Sequence, residues 1–178
     1  SDWSFELIER YHDVIRATHI VNLDIVPGDL DLLEFEQDTP RALAERDGGL
    51  FFTRITDALS GVADAYDTVI IDCPAQPGFL TMSALSAASA VLVEVQPQMT
   101  DVMSMCQFIS MTSGLLSVVA GAGGDMRYDW MRYVVTRHDA ADSRQNRIVS
   151  YMRTALGDHV LNQTLLESDA IGNAGRQQ

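Results

Sequence analysis

The chain has 178 residues, 47% of them apolar and 21% charged, with a mean hydropathy of +0.02 and a net charge of −13. That is enough apolar material for one sizeable core, so a single globular domain over 1–178 is expected and a disordered tail or repeat array is excluded. The charge excludes nothing by itself, because exposed charges are screened beyond about 10 Å and an acidic protein can still carry a local basic patch. No apolar run approaches the roughly 20 residues a bilayer span needs. Ser1–Arg10 carries acids and no signal-peptide pattern, so a cytoplasmic protein without membrane attachment is expected. Cys73 and Cys106 lack CxxC spacing, which predicts neither a disulfide framework nor a zinc site.

The opening residues repeat apolar positions at helical spacing (Tyr11, Val14, Ile15, Thr18) and predict a helix to about Ala17. Leu23–Val26 predicts a short strand stopped by Pro27-Gly28. Asp29 can cap a helix from Leu30 to about Gln37, and Asp38-Thr39-Pro40 predicts the start of another. A helix from Leu50 to about Ala63 follows Gly48-Gly49. The β-branched run Thr68–Ile71, closed by Asp72-Cys73-Pro74, predicts a parallel strand buried on both faces. A helix over Phe79–Ala88, a strand over Val91–Val95, a long helix from about Thr100 to Val119 and a loop at Gly121–Gly124 come next. Met131–Val135 predicts a third strand, Ser143–Leu156 a helix and Val160–Leu165 a last strand. Strand and helix alternate, which is the pattern of an α/β fold with a mostly parallel sheet flanked by helices.

Asp72 puts a carboxylate at the C-terminal edge of the expected strand, where open α/β sheets bind ligands. Either it holds a water, on Mg²⁺ or for attack, or it accepts backbone hydrogen bonds from the turn beyond. All 12 basic residues are arginine, and a phosphate-binding P-loop needs a lysine at the β/γ-phosphates, so no working P-loop is expected in these residues. Arginines cluster towards the end, including Arg144, Arg147 and Arg153 on the 143–156 helix, either as a solvated face or as a phosphate-binding one. The methionines of the 99–111 stretch read as core or partner surface. His12, His19, His138 and His159 show no paired-ligand spacing and receive no catalytic or metal role.

The segment Asp72-Cys73-Pro74-Ala75-Gln76-Pro77-Gly78-Phe79-Leu80-Thr81 resembles the switch segment of ParA-type partition ATPases, with Ala75 in place of the usual second proline. Further blocks resemble the RepA proteins of repABC-type plasmids: Val26-Pro27-Gly28, Glu36–Leu43, Leu85–Ala88 and, most specifically, Pro97–Phe108. The resemblance implies a P-loop NTPase fold of the ParA/MinD type, here lacking its N-terminal strand and P-loop. It implies a parent that binds and hydrolyses ATP with Mg²⁺ and drives DNA segregation and replication control. Its partners would be a second copy in a homodimer, non-specific DNA and a ParB/RepB-like centromere-binding protein. Carried over residue by residue, Asp72 is the catalytic candidate and contacts Mg²⁺ through water. Thr136, Arg137 and Leu166 match the adenine-side loops, with Leu166 where relatives often have proline; each is otherwise an ordinary strand end. Arg144, Arg147 and Arg153 are the DNA-binding candidates. Two other readings stay open: a non-catalytic α/β interaction module, and a MinD-like positioning ATPase.

Overall fold

The computed structural model describes residues 14–28, 36–40, 51–74, 78–121 and 127–168, divided between two compact units, Ser1–Ala88 and Ser89–Gln178. In the first unit the opening helix stops at Val14 rather than Ala17; its residues before Val14 lie outside the described ones. Arg16–Ala17 (β1) pairs antiparallel with Asp24–Ile25 (β2), in register Arg16↔Ile25 and Ala17↔Asp24. The turn between them outcompetes the helix. The Thr18 hydroxyl donates to the Leu23 carbonyl at 2.7 Å and accepts from the Ile20 N–H at 3.1 Å, and Asn22 takes the left-handed φ of 61° that asparagine tolerates.

Residues 36–40 are helical without a break at Asp38, so the separate helix start expected at Asp38–Pro40 is not formed. Extending a turn already present at Glu36 costs less than nucleating a new one. The expected start of the preceding helix, 29–35, lies outside the described residues. A 3₁₀ turn at Phe51–Thr53 leads into α1 (Arg54–Ser60), a second 3₁₀ turn spans Ala63–Ala65, and α2 covers Phe79–Ala87. Phe52, Ala58, Val62, Ala84 and Leu85 are buried among these elements. The Ser83 hydroxyl, fully buried on α2, accepts the Ile55 N–H of α1 at 3.4 Å.

The expected strand at Thr68–Ile71 is a correction: these residues form no ladder with any described residue, and Ile70 is 89% exposed. β-branched residues favour extended backbone, but a strand exists only through a neighbour that takes up its N–H and C=O groups. Among the described residues the run finds no such neighbour.

The second unit is a β–α–β–α succession. Ala90–Val95 (β3) and Trp130–Val135 (β4) pair in parallel, Val91 opposite Met131 and Val95 opposite Val135. Between them runs α3 (Met99–Gly121), and after them α4 (Ser143–Leu156). The last expected strand is thinner than the sequence suggests: it joins β4 and the loop beyond through single parallel bridges, Tyr133↔Val160 and His138↔Leu166. The Leu161 and Leu165 N–H groups donate to Tyr133 and Val135 carbonyls, both at 2.8 Å. Alternate residues of both strands point to one core with the helices: Val95, Tyr133 and Val135 from the strands, Val102 and Met105 from α3, Val149 and Met152 from α4, and Val160. The parallel pair with its helices is α/β architecture.

One helix is longer and more apolar than the sequence reading allowed for. α3 is long and apolar enough to cross a bilayer by length and composition. Its Val102 and Met105 nonetheless pack into the core of the second unit, an engagement that composition does not reveal.

Candidate functional site

One candidate lies in the first unit. Asp72 is exposed just beyond the 68–71 run, and it makes no hydrogen bond or ion pair with a described residue. Its oxygens are open to water or a cation. Its effect on Cys73 is electrostatic: burial first, and the Asp72 carboxylate second, push the Cys73 thiol above its ordinary value. Six residues on, α2 begins at Gly78 with no side-chain cap of its own. The cap comes from Glu36, whose carboxylate accepts the Phe79 N–H at 2.9 Å and the Leu80 N–H at 2.6 Å. A carboxylate suits that position because the first N–H groups of a helix have no intrahelical partner and carry its positive dipole end.

A separate candidate lies in the second unit, where the chain leaves β4. The Thr136 N–H donates to Val95 at 3.0 Å and continues the ladder by one residue. Arg137 turns the chain with φ of 51°, a left-handed conformation that costs a non-glycine residue roughly 1–2 kcal/mol. The loop that follows is held tightly. The Asp139 carboxylate accepts the Ala141 N–H at 2.9 Å, and the Asp139 N–H donates to Gln145 Oε1 at 2.8 Å. A groove of about 470 Å³ lies over it, lined by His138, Asp139, Ala140, Ala141, Leu166 and Glu167. Leu166 is 58% exposed, and Arg137 pairs with Glu167 at 3.8 Å beside it.

His138, to which the sequence assigned no role, holds this groove together. It is buried, its Nδ1 lies 3.0 Å from Thr164 Oγ1 and its Nε2 lies 3.0 Å from Asn146 Oδ1. Asn146 spends its amide donor on the Ala140 carbonyl at 2.9 Å, so its oxygen faces the ring and Nε2 must be the protonated nitrogen. One imidazole thus links the 138–141 loop, α4 and the 160–167 segment. His138 has no sequence motif, and Glu36 opens the Glu36–Leu43 block without being assigned a role there. Their partners are 8 to 44 residues away, and only the fold brings them together.

The arginine candidates differ in what already engages them. Arg144, on the first turn of α4, sits 3.5 Å from Asp142. Arg153 donates to the Asn162 carbonyl at 2.7 Å, a tether between α4 and the last segment. Arg147 is exposed and has no partner among the described residues. The three do not share one row.

Residues 6–117 match a family model described as an AAA domain. The chain is 50% identical over 170 residues to "Putative replication protein A" of Rhizobium rhizogenes, covering 94% of this chain and 41% of that protein. It is 27% identical over 166 residues to the chromosome-partitioning ATPase Soj of Treponema pallidum, covering 92% of this chain and 60% of that one. Among solved structures, the cobyrinic acid a,c-diamide synthase of Mycobacterium smegmatis with bound ADP and magnesium superposes with a TM-score of 0.73 at 18% identity, over 93% of this chain and 68% of that one. That likeness is one of fold. The chain therefore belongs to the AAA domain family, among its ParA-type partition ATPases and beside the RepA-like replication proteins, of whose length it spans about two-fifths.

Proposed function

We propose that this chain is the nucleotide-domain portion of a plasmid partition and replication-control ATPase. The whole protein would bind Mg-ATP, hydrolyse it and use the cycle to drive DNA segregation. It would work in the cytoplasm as a homodimer, with non-specific DNA and a ParB/RepB-like centromere-binding protein as partners.

The observation that carries the reading is the groove beside Leu166. Ala140, Ala141 and Leu166 give it an apolar wall, which suits the flat face of a base; of the positions the family resemblance assigns to adenine, Leu166 lines it, while Thr136 and Arg137 precede its lining residues in the chain. Asp139 and Glu167 line the same groove and would repel phosphates, so the triphosphate would have to lead away from it. Within the first unit taken by itself, the Asp72 carboxylate, without a partner among the described residues, suits a role as an oxygen able to hold a water on Mg²⁺ or orient an attacking one. Magnesium, when bound, would neutralise phosphate charge. The absence of lysine from these 178 residues leaves the phosphate-binding lysine to the rest of the protein, and it also favours the second reading, a non-catalytic α/β interaction module.

The test is photolabelling of the chain with an azido-ATP, followed by peptide mapping. Label within 136–141 or 165–167, competed by ATP, is the expected result. Label confined to other peptides, or none, would overturn the assignment of the groove.

A further inference from the structure

We propose that the exposed face of α4 docks on the backbone of duplex DNA and that Tyr151 is a binding residue of that face, its hydroxyl donating to a phosphate oxygen beside the one Arg147 takes. The proposal rests on the reading above, in which non-specific DNA is a partner, and deepens it by naming one helix face and an uncharged residue on it.

Three observations carry it. The first is placement. At about 3.6 residues per turn, Arg144, Arg147 and Tyr151 fall within about 60° of the circumference of α4, while Val149 and Met152 are buried in the core of the unit. Along the axis Arg144 and Tyr151 stand about 10 Å apart, close to the rise of about three phosphates on one DNA strand at about 3.4 Å each. Arg153 lies off this face and is engaged by the Asn162 carbonyl, so Tyr151 takes its place in the surface.

The second is freedom. Tyr151 is 67% exposed, and neither its hydroxyl nor the exposed Arg147 guanidinium has a partner among the described residues. Arg144 is met by Asp142 at its Nε, yet its side chain is 81% exposed. A ring left in water contributes little to folding, and its phenol remains a ready donor.

The third is charge. α4 contains three arginines and no acid, in a chain of net charge −13. The carboxylate just before it, Asp142, already accepts the Arg144 N–H and pairs with its side chain. The next acid, Asp158, lies beyond the Gly157 stop. A face of this sign fits a polyanion, and phosphate contacts are made by arginine and tyrosine alike, without sequence preference.

The difference between those two side chains supplies the test. An arginine that neutralises a phosphate releases a counterion, so its contribution falls with salt; a neutral hydroxyl releases none. A fluorescein-labelled duplex of mixed sequence is titrated by anisotropy, at several KCl concentrations, with the parent chain, Tyr151→Phe, Tyr151→Ala and Arg147→Ala, and each protein is melted in parallel. Tyr151→Phe should weaken binding roughly three- to tenfold at every salt concentration, with the slope of log K against log salt and the melting temperature unchanged. Tyr151→Ala should weaken it at least as much, and Arg147→Ala should reduce the slope by about 0.9. Parental affinity in Tyr151→Phe, with a flattened slope in Arg147→Ala, would overturn the tyrosine contact and leave the DNA reading standing. No duplex binding by the parent would remove both. A lowered melting temperature in Tyr151→Phe would place the hydroxyl's role inside the fold and count against the contact. Sedimentation equilibrium checks the other occupant: self-association lost in Tyr151→Ala and Arg147→Ala, with duplex affinity unchanged, would assign the face to a second copy of this chain and equally overturn the proposal.

Discussion

Asp142 shows how much a single side chain settles. It is the N-cap of α4, and its Oδ1 accepts the Arg144 N–H at 2.8 Å. That backbone hydrogen bond is the main reason its carboxyl titrates below the ordinary range, with the Arg144 side chain adding to it. A carboxyl depressed in the folded state contributes stability above its unfolded pKa and loses it as pH falls through the folded one. Asp142→Ala should therefore lower the melting temperature at pH 7 and do so progressively less as the solution is acidified through the carboxylate range. Asp142→Asn, which keeps an acceptor oxygen, should be milder at pH 7, and its deficit should also shrink on acidification, because only the parent's cap titrates. Equal, pH-independent losses in both variants, read by thermal denaturation, would contradict the cap. His138 is a residue of the same weight and the opposite legibility. Its ring links three stretches of chain, yet nothing in the Arg137-His138-Asp139 sequence announces it, because its partners Asn146 and Thr164 are chosen by the fold.

Elements were readable in proportion to how far they stabilise themselves. α4 spans Ser143–Leu156 as its sequence predicts, since it carries its own cap, its own apolar stripe and a glycine stop at Gly157, where φ is 56°. β3 and β4 were likewise visible as apolar runs, each within one residue of its bounds. Thr68–Ile71 has the same composition and is no strand, because pairing is a property of two segments and sequence shows only one. β1 was missed for the converse reason: Arg16–Ala17 has little strand character, and the Thr18–Leu23 turn imposes its pairing. The core of the second unit makes a sharp prediction. Met152 is 1% exposed and packs among Val95, Val135 and Val149. Met152→Ala should cost about 2–5 kcal/mol in chemical denaturation, whereas Tyr151→Ala on the exposed side of the same helix should stay within about 0.5 kcal/mol. Similar losses for the two would mean that α4 does not bury the stripe described.

Across the molecule, charge separates two tasks. Residues 1–67 hold 15 acids and 5 arginines, while residues 127–178 hold 7 arginines and 6 acids, so the proposed DNA contact is tested in the C-terminal third. Arg147 is exposed there and has no partner among the described residues, and Arg144 is engaged by Asp142. Removing both in Arg144→Ala, Arg147→Ala should weaken non-specific duplex binding and flatten its salt dependence by about 0.9 in log–log slope for each phosphate no longer neutralised. An unchanged slope in a fluorescence-anisotropy titration would remove this face from consideration. Whether the groove between the β4 exit loop and the 165–167 segment receives the nucleotide base is decided by NMR titration of the ¹⁵N-labelled chain with adenosine and, separately, with Mg-ATP. The amides of Thr136, Arg137, His138 and Leu166 should move with both ligands, because the base alone is what the groove holds. Movement of none of these four with either ligand would rule the groove out as the base site.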